Sequence, residues 1–482
     1  MNKNYRMPDQ NAERKRTSQS RRLVFELAEA QKDLGKNRTY YIRTYGCQAN
    51  VRDSETLAGM MEAMSFSPAT APEEADVVIF NTCAVRRAAE DHVLGEIGSL
   101  KNLKKTDPDK IFVLCGCMAM EKGIAETIAR RYPQVDLLFG THNIHQFPGL
   151  LARVREEGRV FEVDSEGSGC VVEGMPVERS RKFKAFVNIM YGCDKFCTYC
   201  IVPYTRGMQR SRNPEFILNE IREVKAQGGR EVTLLGQNVN AYGKDLGMED
   251  GFTDLLRQAA ETGIERIRFY SSHPRDYSET TIDAMREYPN IMPALHLPVQ
   301  SGNDEILKKM NRGYTSAKFL DLTARMKEKI PGITFTTDLI VGFPSETDAQ
   351  FEDTLKLVDA CRFDSAFTFV YSPREGTPAA AMEDNVPFAV KKERLAVLNE
   401  RIGHWARENN EATVGKVLKV LCDGTSKKNE AALTGYSEEN RLVNFTGEGI
   451  KEGEIVDVTI TKARSFSLFG EALPLSKKDF AV

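Results

Sequence analysis

The run Tyr191-Gly-Cys-Asp-Lys-Phe-Cys-Thr-Tyr-Cys-Ile-Val-Pro-Tyr-Thr-Arg-Gly207 sets Cys193, Cys197 and Cys200 in the spacing Cys-x3-Cys-x2-Cys. Three thiolates so spaced can hold three irons of a cubane 4Fe–4S cluster. No fourth cysteine follows at short range, so the fourth iron stays open to a substrate. Ferredoxin-type clusters close every position with cysteine, whereas an open iron points to chemistry as well as electron storage. A structural zinc site is the competing reading. Zinc wants four closed protein ligands, and the nearest candidates, His273 and His296, lie on other expected elements. Phe196 and Tyr199 either cover the cluster, since burial is one lever on its potential, or serve as core aromatics.

Around this run the chain alternates strands and helices. Strands are expected at Ala185–Met190, Glu231–Leu235, Arg266–Tyr270, Ala294–Val299, Thr334–Val341 and Ser365–Tyr371, with amphipathic helices between them. Right-handed crossovers curl six such units into an open, partial β/α barrel. A closed eight-stranded barrel would need more units than the sequence supplies. Function in β/α barrels collects at the carboxyl ends of the strands. Those ends carry Cys193, Gly236-Gln237-Asn238, Ser271-Ser272-His273, Gln300-Ser301-Gly302, Asp338 with Gly342-Phe343-Pro344, and Tyr371-Ser372-Pro373.

Upstream, Tyr40-Tyr-Ile-Arg-Thr-Tyr-Gly46 ends at Cys47, Asp76-Val-Val-Ile-Phe-Asn-Thr82 ends at Cys83, and Ile111-Phe-Val-Leu-Cys-Gly116 ends at Cys117. Amphipathic stretches follow each, the pattern of a doubly wound parallel sheet. Ligands bind such sheets beyond the carboxyl ends of the strands. Three strand ends with no local Cys-x-x-Cys suit a second, three-cysteine cluster better than zinc. Cys115 shares a strand face with Cys117 by two-residue alternation, so periodicity does not choose between them. Downstream, four short strands with turns, from Val414-Gly-Lys-Val-Leu-Lys-Val420 to Glu454-Ile-Val-Asp-Val-Thr-Ile460, read as a small antiparallel barrel akin to an OB fold. Such barrels often bind RNA.

The chain is 482 residues long, with a net charge of −3, so any nucleic-acid surface must be a local patch. No apolar run is long enough to span a bilayer. Ten cysteines in a chain of this length do not form a disulfide scaffold and point to a reducing, cytoplasmic setting. Residues 1–38, with Arg14-Lys15-Arg16 and Arg21-Arg22, read as a basic, polar, solvated extension or an RNA-contacting arm.

Taken together, Thr44-Tyr-Gly-Cys-Gln-Ala-Asn50, Asn81-Thr-Cys83, Cys115-Gly-Cys-Met118, the Cys193/Cys197/Cys200 run, Leu235-Gly-Gln-Asn-Val-Asn240, His296-Leu-Pro-Val-Gln-Ser-Gly302 and Asp338-Leu-Ile-Val-Gly-Phe-Pro344 resemble the radical S-adenosylmethionine methylthiotransferase family. The resemblance implies a basic extension over 1–38, a methylthiotransferase N-terminal domain over 39–156, a radical core over 179–410 and a TRAM domain over 412–476. It implies an auxiliary cluster on Cys47, Cys83 and Cys117, which settles the Cys115 ambiguity. The radical cluster would sit on Cys193, Cys197 and Cys200, the catalytic triplet. Cofactor contacts would come from Gly236, Gln237, Asn238, Gln300, Asp338 and Gly342. Two S-adenosylmethionine molecules are implied per turnover, one cleaved to a 5′-deoxyadenosyl radical and one supplying the methyl group. A tRNA anticodon stem-loop, a flavodoxin- or ferredoxin-type electron donor and a sulfur donor are the implied partners. The broad superfamily often has Gly-Gly-Glu after its second strand, where Gly236-Gln237-Asn238 stands here.

Three branches of the family differ in substrate. Tyr45-Gly-Cys-Gln-Ala-Asn50 and Cys200-Ile-Val-Pro-Tyr-Thr-Arg-Gly207 resemble the branch that acts on carbon 2 of N6-isopentenyladenosine beside the anticodon. The alternatives are the threonylcarbamoyladenosine branch and the branch modifying an aspartate of a ribosomal protein. A two-cluster RNA-binding redox protein would share the cysteines and the terminal barrel, but it would not turn S-adenosylmethionine into 5′-deoxyadenosine.

Overall fold

The computed structural model describes residues 20–474 apart from 85–86, 122, 164–169 and 428. The described chain opens with β1 (Arg22–Val24), followed by β2 (Thr39–Thr44), β3 (Ser67–Pro68), β4 (Val77–Thr82), β5 (Ile111–Gly116), β6 (Val135–Phe139), β7 (Val160–Glu162) and β8 (Val171–Glu173). Six of these form one parallel sheet in the order β3-β2-β4-β5-β6-β7. Its central strands are apolar and buried on both sides, as a sheet covered by helices on both faces demands. Val77, Ile79, Ile111 and Val113 pack with Leu57, Met60, Met61, Leu150 and Leu151 of the helices Gln48–Ala63 and Phe147–Glu157. On the opposite face Val78, Phe80, Phe112 and Leu114 meet Val93, Ile97 and Ile128 of the helices Arg87–Ser99 and Ile124–Arg131.

Next come β9 (Lys184–Asn188), β10 (Met190–Tyr191), β11 (Arg210–Ser211), β12 (Glu231–Leu235), β13 (Arg266–Phe269), β14 (Ala294–His296), β15 (Thr334–Val341) and β16 (Ser365–Val370). Two three-stranded parallel sheets, β13-β12-β9 and β14-β15-β16, are joined through a parallel bridge between Ile267 and Ile291. These are the six expected strands of the partial barrel. Val187, Val232, Leu234, Ile267, Leu297, Phe335 and Leu339 form a core with Ile217, Ile221, Leu255, Leu256, Phe319 and Met326 of the surrounding helices. Helix starts are set by sequence. Asn213, Ser278, Asn303, Thr315 and Thr347 each accept a backbone N–H with the side chain at the N-cap, a bond worth about 1 kcal/mol per helix.

The C-terminal strands β17 (Val417–Ser426), β18 (Asn429–Ser437), β19 (Leu442–Thr446), β20 (Ile455–Arg464) and β21 (Ser467–Ala472) close a barrel in the order β17-β18-β19-β21-β20. The expected antiparallel pairing is departed from at one seam, where β19 and β21 run parallel. A ring with an odd number of strands cannot alternate direction throughout, so one parallel seam is required for closure.

The extension expected over 1–38 needs correction in its second half. Arg14-Lys15-Arg16 lies outside the described residues. From Arg22 the chain is built into the fold: β1 pairs in parallel with β8, and Phe25, Leu27 and Leu34 pack against the first core. The reason is physical. Leu23-Val-Phe25 and Leu27 supply apolar surface that the basic flank conceals in a composition reading.

Candidate functional site

Cys47, Cys83 and Cys117 follow the carboxyl ends of β2, β4 and β5, three neighbours in one sheet. Cys47 is the N-cap of the helix Gln48–Ala63. The Asn50 amide donates to Thr82 O at 2.8 Å, and the Asn81 amide donates to Asn50 O at 2.8 Å and Ser54 Oγ at 2.9 Å. This lattice ties the loop bearing Cys47 to the strand end bearing Cys83. Gly116 has φ +96°, and a Cβ there would stand 2.3 Å from Thr82 O. Only glycine turns the chain there tightly enough to bring Cys117 against Ala84, next to Cys83 in sequence.

Two-residue alternation fails beyond Gly116, because β5 ends there and residues 117–120 form a 3₁₀ turn. Cys115 therefore packs in the first core among Val113, Leu137 and Phe139, while Cys117 packs with Ala84, Phe196, Ile201 and Tyr204.

Cys47 keeps an exposed face while Cys83 and Cys117 are buried. A hydrogen bond with Cys83, the Arg206 charge and the N–H groups of Asn50 and Ala49 pull the Cys47 thiol down to about 5, against the desolvation that raises it. Burial raises Cys117, opposed by Arg206. Arg206 Nε donates to Cys117 Sγ at 3.3 Å, and its Nη2 pairs with Asp53 at 2.7 Å.

The second triplet sits on a loop braced from several sides. The Asn311 amide donates to the carbonyls of Lys195 and Phe196, Thr198 N to Met310 O, and Gln209 N to Asp194 Oδ1. Phe196, between the cysteines, holds φ +47°, a conformation costly to a bulky residue and kept because these contacts fix the loop. Burial pushes Cys200 up to about 12 and raises Cys193 as well. Thiols so buried ionise when a metal takes the place of their protons. Arg312 Nη1 donates to Cys197 Sγ at 3.3 Å.

The two triplets meet. Cys117 of the first shares one small apolar cluster with Phe196, Ile201 and Tyr204 from the loop of the second. Arg206, six residues beyond Cys200, crosses to Cys117. Among the described residues no three His, Cys, Asp or Glu side chains converge on a point that one metal ion would fill. Thiolates that each take a different iron of a cubane need no common point, and the donor chemistry of both triplets fits such a group.

The expected cofactor contacts divide. Gln237 Oε1 accepts from Gly192 N at 2.5 Å and so supports the loop just before Cys193. The Asn238 amide donates to Asp276 Oδ2 at 2.7 Å, while its Oδ1 is buried without a partner. Gln300 lies buried at the carboxyl rim with φ +72°. Asp338 sits within β15 rather than at its end, 3.5 Å from His296 Nε2. Gly236 packs against Met190, and Gly342, at φ +68°, against the Lys391 stem. Ser272 Oγ, His273 Nε2 and Tyr371 Oη are also buried and unpaired among the described residues, at the ends of β13 and β16. Burial, with the Arg312 and Lys195 charges, holds His273 down to about 2, hence neutral. Unpaired buried polar atoms at a strand-end rim fit a polar ligand. Arg206 was legible inside the quoted cysteine run, whereas Asp53 and Arg312 carry no local signal.

Residues 187–358 match the Radical SAM superfamily, residues 39–140 the Uncharacterized protein family UPF0004, and residues 411–473 the TRAM domain. The chain is 49% identical over 448 residues to the tRNA-2-methylthio-N(6)-dimethylallyladenosine synthase of Staphylococcus epidermidis, covering 92% of this chain and 87% of that one. It is 51% identical over 449 residues to the enzyme of the same name from Geobacillus kaustophilus, covering 93% and 84%. The chain belongs to the tRNA-2-methylthio-N(6)-dimethylallyladenosine synthase family. Among solved structures, a radical S-adenosylmethionine methyltransferase from Kitasatospora setae superposes with a TM-score of 0.52 at 15% identity, over 71% of this chain and 75% of that one. That likeness concerns the fold alone. No helix among the described residues of this family member is long and apolar enough to cross a membrane.

Proposed function

We propose that this chain is a tRNA methylthiotransferase that installs a methylthio group on carbon 2 of N6-isopentenyladenosine beside the anticodon. The observation that carries this reading is the meeting of two cysteine triplets from two domains across one apolar cluster, in a chain about half identical to synthases of that name. Cys193, Cys197 and Cys200 hold the radical cluster, and Cys47, Cys83 and Cys117 the auxiliary one. When bound, the two clusters and S-adenosylmethionine supply one-electron reductive cleavage, hydrogen removal from the base and a methylated sulfur.

The chain's own residues position and exclude. Gln237 and Asn311 fix the loop that carries the second triplet. Asn238, Ser272 and His273, from the sheet β13-β12-β9, and Tyr371, from the sheet β14-β15-β16, offer unpaired polar atoms to the amino acid and ribose of the cofactor, with Gln300 and Asp338 on the side of Tyr371. Neutral His273 presents a hydrogen-bonding nitrogen without adding charge. Phe196, Ile201 and Tyr204 keep water from the space between the triplets. The TRAM barrel contributes RNA affinity, and a flavodoxin- or ferredoxin-type protein and a separate sulfur donor complete the reaction.

Substrate choice follows from the edge around Cys47. Burying methyl or methylene groups of a prenyl chain contributes roughly 0.8 kcal/mol each. A threonylcarbamoyl group brings a carboxylate that needs a cation. Thr44–Val51 holds no Lys or Arg, and the nearby Arg206 charge is already taken by Asp53. Purified enzyme offered prenylated tRNA, threonylcarbamoylated tRNA and ribosomal protein under one reductant should methylthiolate the first and leave the others almost unchanged, read by mass spectrometry. Equal turnover of either alternative would overturn the assignment.

A further inference from the structure

One cysteine of each triplet is touched by a buried arginine, and the two arginines differ in what balances their charge. Arg206 is 7% exposed and gives Nε to Cys117 Sγ, while Asp53 neutralises it at 2.7 Å. Arg312 is 5% exposed and gives Nη1 to Cys197 Sγ. Its other bonds go to the Tyr314 hydroxyl at 3.0 Å and the Pro298 carbonyl at 2.7 Å, both neutral. Among the described residues no carboxylate stands within ion-pair distance of Arg312.

We propose that Arg312 is the counter-charge of the radical cluster and raises its reduction potential, whereas Arg206 serves the auxiliary cluster as a hydrogen-bond donor whose charge Asp53 cancels. A guanidinium buried among neutral partners is expensive unless an anion balances it. Among the described residues the anions that this geometry offers Arg312 are the thiolates of its own triplet, Cys197 in contact and Cys200 nearby, with whatever they bind. A cubane held by three thiolates is net anionic in both states of its couple and more so when reduced. A fixed positive charge beside a ligand sulfur therefore stabilises the reduced state more, and hydrogen bonds to sulfur act in the same direction. At the auxiliary site the added electron meets a neutral ion pair and one hydrogen bond. The Arg312 charge eases uptake of the electron from an external donor, and it lowers the driving force for passing that electron to the cofactor by the same amount.

This inference rests on the cluster ligands proposed above, and its test separates the two. In protein with Cys47, Cys83 and Cys117 changed to Ala, anaerobic reconstitution leaves the radical cluster to be titrated alone by electron paramagnetic resonance at set potentials. There Arg312→Gln should shift the midpoint to more negative values, Arg312→Lys should recover part of the shift, and Arg206→Gln should leave the midpoint unmoved. In the reciprocal background, lacking Cys193, Cys197 and Cys200, Arg206→Gln should shift the auxiliary midpoint negative. Asp53→Asn, which frees the Arg206 charge, should shift it positive. An iron-loaded Arg312 variant with an unchanged midpoint, or an Asp53→Asn shift of the wrong sign, overturns the proposal. Should Arg312→Gln fail to take up iron, the Asp53→Asn sign and the Arg312→Lys midpoint still decide it. A triplet that binds no iron in either background would instead sink the ligand assignment.

Discussion

Two residues one position apart, Cys115 and Cys117, show what backbone geometry adds to a side-chain pattern. Alternation along a strand puts them on one face, yet the turn at Gly116 sends Cys115 into the sheet's core and Cys117 toward the other cysteines. No periodicity can report that, because it is the end of the strand that decides it. Gly46 repeats the device: with φ +121°, a Cβ there would lie 2.5 Å from Cys83 Cβ. Gly116→Ala should therefore lose the auxiliary cluster as completely as Cys117→Ala does, roughly halving the iron bound after anaerobic reconstitution. It should also destabilise the fold by at least about 1–3 kcal/mol, since the side chain meets backbone at a left-handed position. Cys115→Ala should keep full iron and cost about 1 kcal/mol of packing. Iron analysis and thermal unfolding of the three variants check this, and loss of iron from Cys115→Ala would reverse the assignment of the two cysteines.

At the level of elements, the long apolar strands were the readable part. Glu231–Leu235, Thr334–Val341 and Ile111–Gly116 stand where the sequence places them: the first and last are uninterrupted buried runs, and Thr334–Val341 alternates buried with half-buried residues up to Gly342. The edge strands β3, β7 and β8 were not legible: each is only two or three residues long, and its partner supplies most of the order. The last strand, β21, was missed as well. Its sequence Ser467-Leu-Phe-Gly-Glu-Ala472 shows little alternation, and it is held by a bulged pairing to β20 and by its parallel seam. β1 was concealed by its basic neighbours. Because it pairs with β8, because Phe25 N donates to Glu173 O at 2.8 Å, and because Arg22 reaches Ser211 O at 3.0 Å, it belongs to the folded body. Deleting residues 1–27 should lower the midpoint of thermal unfolding by several degrees, corresponding to about 2–3 kcal/mol for the lost strand and its two apolar side chains. Deleting residues 1–19 leaves all of these contacts in place and should shift the midpoint much less. Equal midpoints for the two deletions would show that β1 adds nothing.

Across the whole molecule, the terminal barrel is latched to the base of the catalytic barrel rather than hung from it. Arg266, among the largest fully buried side chains, donates to Tyr436 O and Lys419 O, each at 3.0 Å. Arg268 gives two further bonds, to Ser437 O and Glu438 O, and pairs with Glu231. Arg441 of the terminal barrel reaches back to Asp364 at 2.7 Å, and Asp423 pairs with Lys184. These contacts sit toward the amino ends of β9, β13 and β16, opposite the rim that carries the cysteines, so docking does not intrude on the chemistry. Their effect is on geometry: a rigidly held RNA-binding barrel presents bound tRNA to the rim in one orientation, whereas a tethered one would contribute only the effective concentration of a flexible linker. Arg266→Met tests this with little collateral damage, because both of its partners are backbone carbonyls and no carboxylate is left buried without its pair. Hydrogen bonds from a charged donor contribute about 1.5–3 kcal/mol each, so their loss should loosen the latch and expose the chain between Glu411 and Val417 to protease. Affinity for tRNA should fall on the order of tenfold, while cleavage of S-adenosylmethionine without tRNA continues at its former rate. Unchanged protease resistance together with unchanged tRNA affinity would mean that the remaining contacts hold the barrel without Arg266.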